Sequence, residues 1–120
     1  MKRKTILIVE DDRSFRKGLA FELIEIGHKV VEASDGKEAI EQIQKNYFDL
    51  VISDLLMPEV DGLEVYDHVK RVAPETRFIL LTAFHDSERA KTARTLLQEN
   101  YIRKSGDHDF LFQRINQILE

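Results

Sequence analysis

Short apolar runs alternate with helix-period segments five times along the chain. The runs cover residues 6–9, 28–32, 50–52, 78–81 and 101–102. They are rich in β-branched residues, as in strands that are buried on both faces of a parallel sheet. Between and after them, apolar residues recur every three to four positions, which predicts helices. We place these helices at residues 14–26, 37–46 and 62–71, from an Asp86 or Ser87 cap to about Leu97, and from an Asp107 cap through Leu119.

Five strand-helix units without a hairpin signal predict one α/β domain that spans residues 1–120. Parallel strands joined by right-handed helical crossovers are the expected connection. We therefore expect a five-stranded parallel sheet in the flavodoxin-like order 2-1-3-4-5, doubly wound by five helices. In that order strands one and three are neighbours, so the residues at their carboxyl ends share the crevice where such sheets bind ligands.

Acidic residues follow both of these neighbouring strands. Asp54 ends the central apolar run, and Asp11 and Asp12 follow the first one. Carboxylates gathered within a few Å repel one another, and a protein keeps such a group mainly when a cation occupies the site. An all-oxygen ligand set beside an open loop suits Mg²⁺, which retains several waters and shares its coordination with phosphate oxygens. The sequence therefore predicts a magnesium site.

Strands four and five bring a hydroxyl and a cation to the same edge. Thr82 ends the fourth strand, and Lys104 follows the fifth. A hydroxyl donor and a point positive charge are what a transferring phosphoryl group needs on the side away from a metal. Together with the acids, they indicate phosphoryl transfer.

Composition narrows the remaining classes. The chain has no cysteine, which removes thiolate chemistry and cysteine-based zinc sites and fits a reducing cytoplasm. The basic start is followed by too short an apolar run for a signal peptide or a membrane span, so we expect a cytoplasmic protein without membrane contact. The net charge of −4 argues against direct binding of nucleic acid by this domain.

Four motifs together resemble the receiver domains of bacterial two-component response regulators. Each motif alone is weak, but their order and spacing agree with that family along the whole chain. They are Asp11-Asp12, Ser53-Asp54-Leu55-Leu56-Met57-Pro58 with Asp61-Gly62, Leu81-Thr82-Ala83, and Tyr101-Ile102-Arg103-Lys104.

The resemblance implies a role for each acidic residue. Asp54 would be the nucleophile that takes a phosphoryl group from the phosphohistidine of a sensor histidine kinase or a phosphotransfer protein. Mg²⁺ would be held directly by Asp12, Asp54 and the backbone carbonyl of Leu56, with Asp11 acting mostly through water. Such a domain catalyses only its own phosphorylation and dephosphorylation, so we do not expect an enzyme acting on other substrates.

The resemblance also implies a switch. Lys104 would contact the phosphate, Thr82 would turn to bond it, and Tyr101 would move into the vacated space. The surface of helix four, strand five and helix five would then change its affinity for a downstream output domain or for a second copy of the chain.

The chain departs from the family pattern in two places. Ser105 stands where proline commonly follows the lysine, and Leu97-Gln98 stand where glycine and alanine commonly end helix four. A cis bond before a residue other than proline costs about 2.5–4 kcal/mol, so we expect the Lys104-Ser105 bond to be trans.

Three other functions fit part of the pattern. A receiver-like module could dock its partner without phosphorylation, which Ser105 favours and the complete acidic set opposes. A metal-dependent phosphatase with an aspartyl nucleophile usually has Asp-x-Asp after its first strand, whereas the acids here are adjacent. An FMN-binding domain needs hydroxyls and amides around the phosphate, and the acids from Glu10 to Asp12 would repel it.

Overall fold

The computed structural model describes residues 3–83, 86–104 and 108–120. Strands and helices alternate throughout, as the apolar pattern predicts. The strands are β1 (Thr5–Val9), β2 (Lys29–Ala33), β3 (Leu50–Asp54), β4 (Arg77–Thr82) and β5 (Tyr101–Arg103). The helices are α1 (Arg13–Ile26), α2 (Gly36–Lys45), α3 (Gly62–Val72), α4 (Glu88–Leu97) and α5 (His108–Leu119), with a 3-10 turn at Gln98–Asn100. Among the described residues, no helix has the length and apolar character needed to cross a membrane.

The five strands form one parallel sheet in the order β2-β1-β3-β4-β5. This confirms the predicted fold class and strand order. β1 and β3 are hydrogen-bonded neighbours, with Val9 opposite Ser53. The segments that leave these two strands at their carboxyl ends therefore begin side by side.

Alternate residues of each strand face opposite sides of the sheet. In β1, Leu7 and Val9 belong to the core shared with α2, α3 and α4, whereas Ile6 and Ile8 belong to the core shared with α1 and α5. All four side chains are buried. Because a strand side chain alternates with a period of two, a continuous apolar run is needed to fill both cores.

Local hydrogen bonds define the helix ends. Asp12 caps α1, which begins one residue before the predicted start, and Gly27 ends it with a φ of 117°. The Ser87 hydroxyl accepts the Ala90 N–H at 3.0 Å, so Ser87 caps α4 as one of the two predicted candidates. The predicted cap of α5, Asp107, lies outside the described residues.

Gly62 lies where the loop after β3 meets α3, and it has no room for a side chain. A Cβ built there would lie 2.3 Å from the backbone oxygen of Asp54 and 2.8 Å from a methyl group of Leu80. The Gly62 N–H also donates to the Leu55 carbonyl at 2.8 Å. Since backbone cannot move aside cheaply, we expect Gly62→Ala to lower the free energy of unfolding by about 1–3 kcal/mol.

Gly18→Ala is the matched control for that prediction. Gly18 lies within α1, and a Cβ there would meet nothing within 4 Å. Alanine within a helix is more stable than glycine by about 0.5–1 kcal/mol, so this variant should be stabilised. Urea denaturation of both variants measures the two effects, and equal effects would show that the close approach to Asp54 costs nothing.

Gln98 has a backbone conformation that normally requires glycine. Its φ of 50° and ψ of −115° lie outside the left-handed helical region that other residues can visit. The family pattern has small residues, glycine and alanine, at Leu97 and Gln98. Gln98 therefore adopts a backbone geometry typical of glycine although its side chain is large. The strain lies at the junction between α4 and β5.

Gln98→Gly is expected to stabilise the protein by about 1 kcal/mol, because relief of a strained conformation outweighs the entropy that glycine adds to the unfolded chain. Gln98→Ala should give no such gain, because alanine also has a Cβ. Thermal unfolding of the two variants measures the difference. A gain of the same size with alanine would attribute the effect to the glutamine side chain instead of the backbone.

Candidate functional site

The carboxyl ends of β1, β3 and β5 surround one open cavity of about 410 Å³. Asp54 is the last residue of β3, and Lys104 follows β5 directly. The structure thus brings residues from distant parts of the chain to the predicted edge of the sheet. The cavity is lined by Glu10, Asp11, Asp12, Asp54, Leu56, Ala83 and Lys104.

Three acidic side chains form a tight group in this cavity. One carboxylate oxygen from each of Glu10, Asp11 and Asp54 lies within 4.8 Å of the other two. Burial raises the pKa of Glu10 to about 7, with Lys104 opposing that shift. Burial also raises the pKa of Asp54, again against the effect of Lys104. The ionised forms of the buried pair, Glu10 and Asp54, are therefore disfavoured, and a hard cation that binds oxygen would offset this effect. The donor set therefore fits Mg²⁺.

Asp12 has a different position from the one expected of a direct metal ligand. Its Oδ1 accepts the Phe15 N–H at 3.1 Å as the cap of α1, and its own N–H donates to Glu10 Oε2 at 3.0 Å. Asp12 lines the cavity but does not belong to the group of three carboxylates. The structure therefore has Asp12 as the cap of α1 and groups Glu10 and Asp11 with Asp54, while direct ligation of Mg²⁺ by Asp12 stays a prediction.

The sequence does contain a signal for this pairing, although the motif pattern directs attention to the two aspartates. α1 begins at Arg13, so the residue before it must satisfy the free N–H groups of the first turn. Asp12 is a preferred residue for that position. The helix starts one residue earlier than the apolar pattern predicts. Asp12 is therefore its cap, and Glu10 and Asp11 are the acids that remain for the site.

Lys104 contacts two members of the acidic group. Its Nζ contacts the carboxylate of Glu10 and lies 3.3 Å from Oδ2 of Asp54. Burial by itself lowers the pKa of Lys104, but the two carboxylates outweigh burial and the net pKa is raised. The backbone N–H of Lys104 donates to the Thr82 carbonyl at 2.9 Å. The ammonium group of Lys104 is therefore held against the Asp54 carboxylate.

The other predicted site residues lie around this centre at different depths. Leu56 is 39% exposed and lines the cavity. Thr82 is fully buried at the end of β4, and the next residue, Ala83, lines the cavity. Tyr101 is half-buried at the start of β5, with the Arg94 guanidinium 5.7 Å from its ring centroid. Ser105, and with it the Lys104-Ser105 bond, lies outside the described residues.

Arg16 supports the acidic loop from α1, and no motif in the sequence marks it for that role. Its Nη1 donates to the backbone carbonyl of Glu10 at 2.8 Å, and its Nε donates to Glu32 on β2 at 3.0 Å. The arginine is only 13% exposed. It therefore ties the end of β1, and with it the carboxylates of the site, to the edge strand.

A second arginine links the loop after Asp54 to α4. Asp61 caps α3 in a capping box with Glu64, and both of its carboxylate oxygens accept hydrogen bonds from Arg89 at 2.8 Å. Arg89 lies in the first turn of α4. The loop that follows the central strand is therefore joined to the helix that follows Thr82.

A parallel sheet in this order, with an acidic group at the ends of its two central neighbouring strands and a lysine facing it, defines a receiver domain. Comparison with known proteins agrees, because the family model for the response regulator receiver domain matches residues 6–116. The chain belongs to that family.

Individual relatives place the chain within the family. It is 35% identical to the transcriptional regulatory protein GlrR of Escherichia coli over 96% of its own length, but it spans only 26% of GlrR. It is 30% identical to the response regulator receiver protein CpdR of Brucella abortus over 83% of this chain and 88% of CpdR. The structure of TrrA from Thermotoga maritima in complex with Mg²⁺-BeF has a TM-score of 0.81 and 32% identity, covering 96% of this chain and 98% of TrrA.

Proposed function

We propose that this chain is a phosphoacceptor switch in which Asp54 takes a phosphoryl group from a phosphohistidine of a sensor histidine kinase or a phosphotransfer protein. The observation that supports this best is the position of the Asp54 carboxylate, which is grouped with the carboxylates of Glu10 and Asp11 and lies 3.3 Å from the ammonium group of Lys104. A nucleophile beside both a candidate cation site and a positive charge is suited to phosphoryl transfer.

In the proposed reaction, a carboxylate oxygen of Asp54 attacks the phosphorus atom. The new O–P bond forms as the P–N bond to the histidine breaks, and the imidazole nitrogen keeps the electron pair and takes a proton from solvent. Burial raises the pKa of Asp54 and Lys104 opposes that shift, so Lys104 favours the ionised carboxylate, which is the nucleophile. Its ammonium group also neutralises charge on the phosphoryl oxygens.

Mg²⁺ is the proposed cofactor, held by Asp11 and Asp54, with Glu10 beside them. When bound, it would act as a Lewis acid that neutralises charge on the phosphoryl oxygens. The known Mg²⁺-BeF complex of TrrA supports this assignment by similarity. The backbone carbonyl of Leu56 is a further proposed ligand, because Leu56 lines the same cavity.

The output of the switch is proposed to be a change in protein binding. Phosphorylation replaces the single negative charge of the Asp54 carboxylate with an acyl phosphate of about −1.5 to −2 charges, beside a loop that Arg89 already ties to α4. Thr82 and Tyr101 would respond to that charge, and the surface formed by α4, β5 and α5 would alter its affinity for an output domain or for a second copy. We propose that residues 1–120 act as one receiver domain in the cytoplasm, catalysing only their own phosphorylation and dephosphorylation.

Intact-mass measurement after incubation with acetyl phosphate tests the proposal. The parent protein with Mg²⁺ should gain the mass of one phosphoryl group, and the same protein with a chelator should not. A protein that gains no mass with Mg²⁺, yet still binds a kinase or output partner, would be a phosphorylation-independent docking module. Release of many equivalents of phosphate from an aryl phosphate would instead indicate a phosphatase.

A further inference from the structure

Lys104 has a third contact besides the two carboxylates of the site. Its Nζ lies 4.7 Å from the ring centroid of Phe15, which is within the range of an attractive cation–π contact. Phe15 belongs to the first turn of α1 and packs partly buried against the core shared by α1 and α5. The aromatic ring is therefore a fixed surface, held by the core on one side and facing the lysine on the other.

We propose that Phe15 is a positioning residue for Lys104, and that its ring face keeps the ammonium group directed at the phosphoryl position on Asp54. The proposal rests on the proposed function, because it assigns a role to Phe15 in the same phosphoryl-transfer site. It does not require the Phe15 ring to touch the phosphoryl group.

The three contacts of Lys104 respond differently when a cation or a phosphoryl group enters the cavity. Glu10 and Asp54 attract Nζ through their charges, and those charges are shared as soon as a cation or a phosphoryl group enters the cavity. The attraction of the Phe15 ring comes from its quadrupole, which does not change with the state of the carboxylates. The ring is therefore the one of these three contacts whose strength persists through phosphorylation.

The environment increases the effect of the ring on the lysine. The Lys104 side chain is only 17% exposed, and a cation–π contact is stronger where water is excluded. A lysine has a flexible four-carbon stem, so its ammonium group needs a surface to define its position. Phe15 provides that surface next to the acids, because Asp12 caps the same helical turn.

Three variants separate the ring face from ordinary packing. Phe15→Leu keeps an apolar side chain of similar size in the core but removes the π face, whereas Phe15→Tyr keeps the face. Phe21→Leu is the matched control, because Phe21 lies on the same helix and is 64% exposed. In the presence of Mg²⁺, we expect Phe15→Leu to weaken the binding of beryllofluoride, a phosphoryl mimic, by about three- to tenfold. Phe15→Tyr and Phe21→Leu should bind it like the parent.

A second measurement reports the contact without any phosphoryl chemistry. In an NMR spectrum of the lysine side chains, the Cε protons of Lys104 should be shifted upfield by the ring of Phe15, and Lys104→Arg identifies their signal by its loss. The shift should persist in Phe15→Tyr and disappear in Phe15→Leu. If the parent shows the shift but neither binds beryllofluoride nor takes up phosphoryl groups, the proposed function fails independently of the contact.

Several results would overturn the positioning role. Beryllofluoride affinity that is unchanged in Phe15→Leu would show that the ring face is not needed. Equal loss in Phe15→Leu and Phe15→Tyr would attribute the effect to shape, and a similar loss in Phe21→Leu would attribute it to the helix as a whole. Absence of the upfield shift in the parent would show that the ring does not face Lys104 in solution.

Discussion

Asp54→Asn is expected to abolish phosphoryl uptake from acetyl phosphate completely. The amide that replaces the carboxylate has no anionic oxygen to attack phosphorus. Among the acids of the cavity that the structure describes, Asp54 alone ends the central strand. Intact mass after incubation with Mg²⁺ and acetyl phosphate measures the outcome directly.

The fold of this variant can be checked by its stability. Burial raises the pKa of Asp54, so the ionised carboxylate is disfavoured in the folded protein at neutral pH. Without Mg²⁺, Asp54→Asn should therefore be at least as resistant to urea as the parent. Asp12→Asn is the control for uptake, since asparagine caps helices as well as aspartate does and should leave phosphorylation intact. Phosphoryl mass on a folded Asp54→Asn protein would refute the assignment of the nucleophile.

Mg²⁺ is expected to raise the melting temperature of the parent and of Asp12→Asn, but not that of Asp11→Asn. A ligand at ten times its Kd stabilises the folded state by about 1.4 kcal/mol, if it does not bind the unfolded chain. For a domain of this size that corresponds to roughly 5 °C. Asp11 contributes an oxygen to the carboxylate group, whereas Asp12 caps α1.

The two adjacent substitutions remove the same charge and differ only in position. If the rise in melting temperature were lost in Asp12→Asn and kept in Asp11→Asn, Asp12 would be the direct ligand, as the sequence analysis expected. The group of Glu10, Asp11 and Asp54 would then not be the metal site. Scanning calorimetry with and without Mg²⁺, at fixed ionic strength, separates binding at the site from general screening.

The gain from Mg²⁺ should also depend on pH. The pKa of Glu10 is raised from an ordinary value of 4.5 to about 7. Between these two pH values, the folded, metal-free protein keeps a proton that the unfolded chain has released. The stability of the metal-free protein should therefore fall as the pH rises from 4.5 to 7. Over the same range Glu10 becomes anionic and attracts the cation more strongly. The rise in melting temperature caused by Mg²⁺ should therefore be larger at about pH 8 than at about pH 6. Glu10→Gln should remove most of this dependence.

The sequence by itself determined the fold class and the edge of the sheet where the site lies. Both follow from the alternation of strand-like and helical segments along the whole chain, and a boundary error of one or two residues does not change that pattern. The alternation of five apolar runs with helical segments specifies a parallel sheet, and the carboxyl ends of parallel strands must meet at one edge. Asp54 and Lys104 could be placed there because each ends an apolar run.

Assignments that depend on a single residue needed the tertiary structure. Whether Asp12 ligates or caps depends on where α1 begins, and apolar periodicity places helix ends only to within a few residues. The helical pattern predicted a start at Ser14, whereas the helix begins at Arg13. With this start, Asp12 is the cap and Glu10 belongs to the carboxylate group.

Contacts between distant segments were also decided only by the folded chain. Phe15 and Lys104 are far apart in sequence, and nothing in the pattern around either residue indicates that an aromatic ring would lie against the lysine. Arg16 likewise meets the Glu10 carbonyl and Glu32 only after β2 has packed beside β1. Apolar periodicity reports which face of an element is buried, whereas the partner of a particular side chain depends on how neighbouring elements pack, which requires three-dimensional geometry.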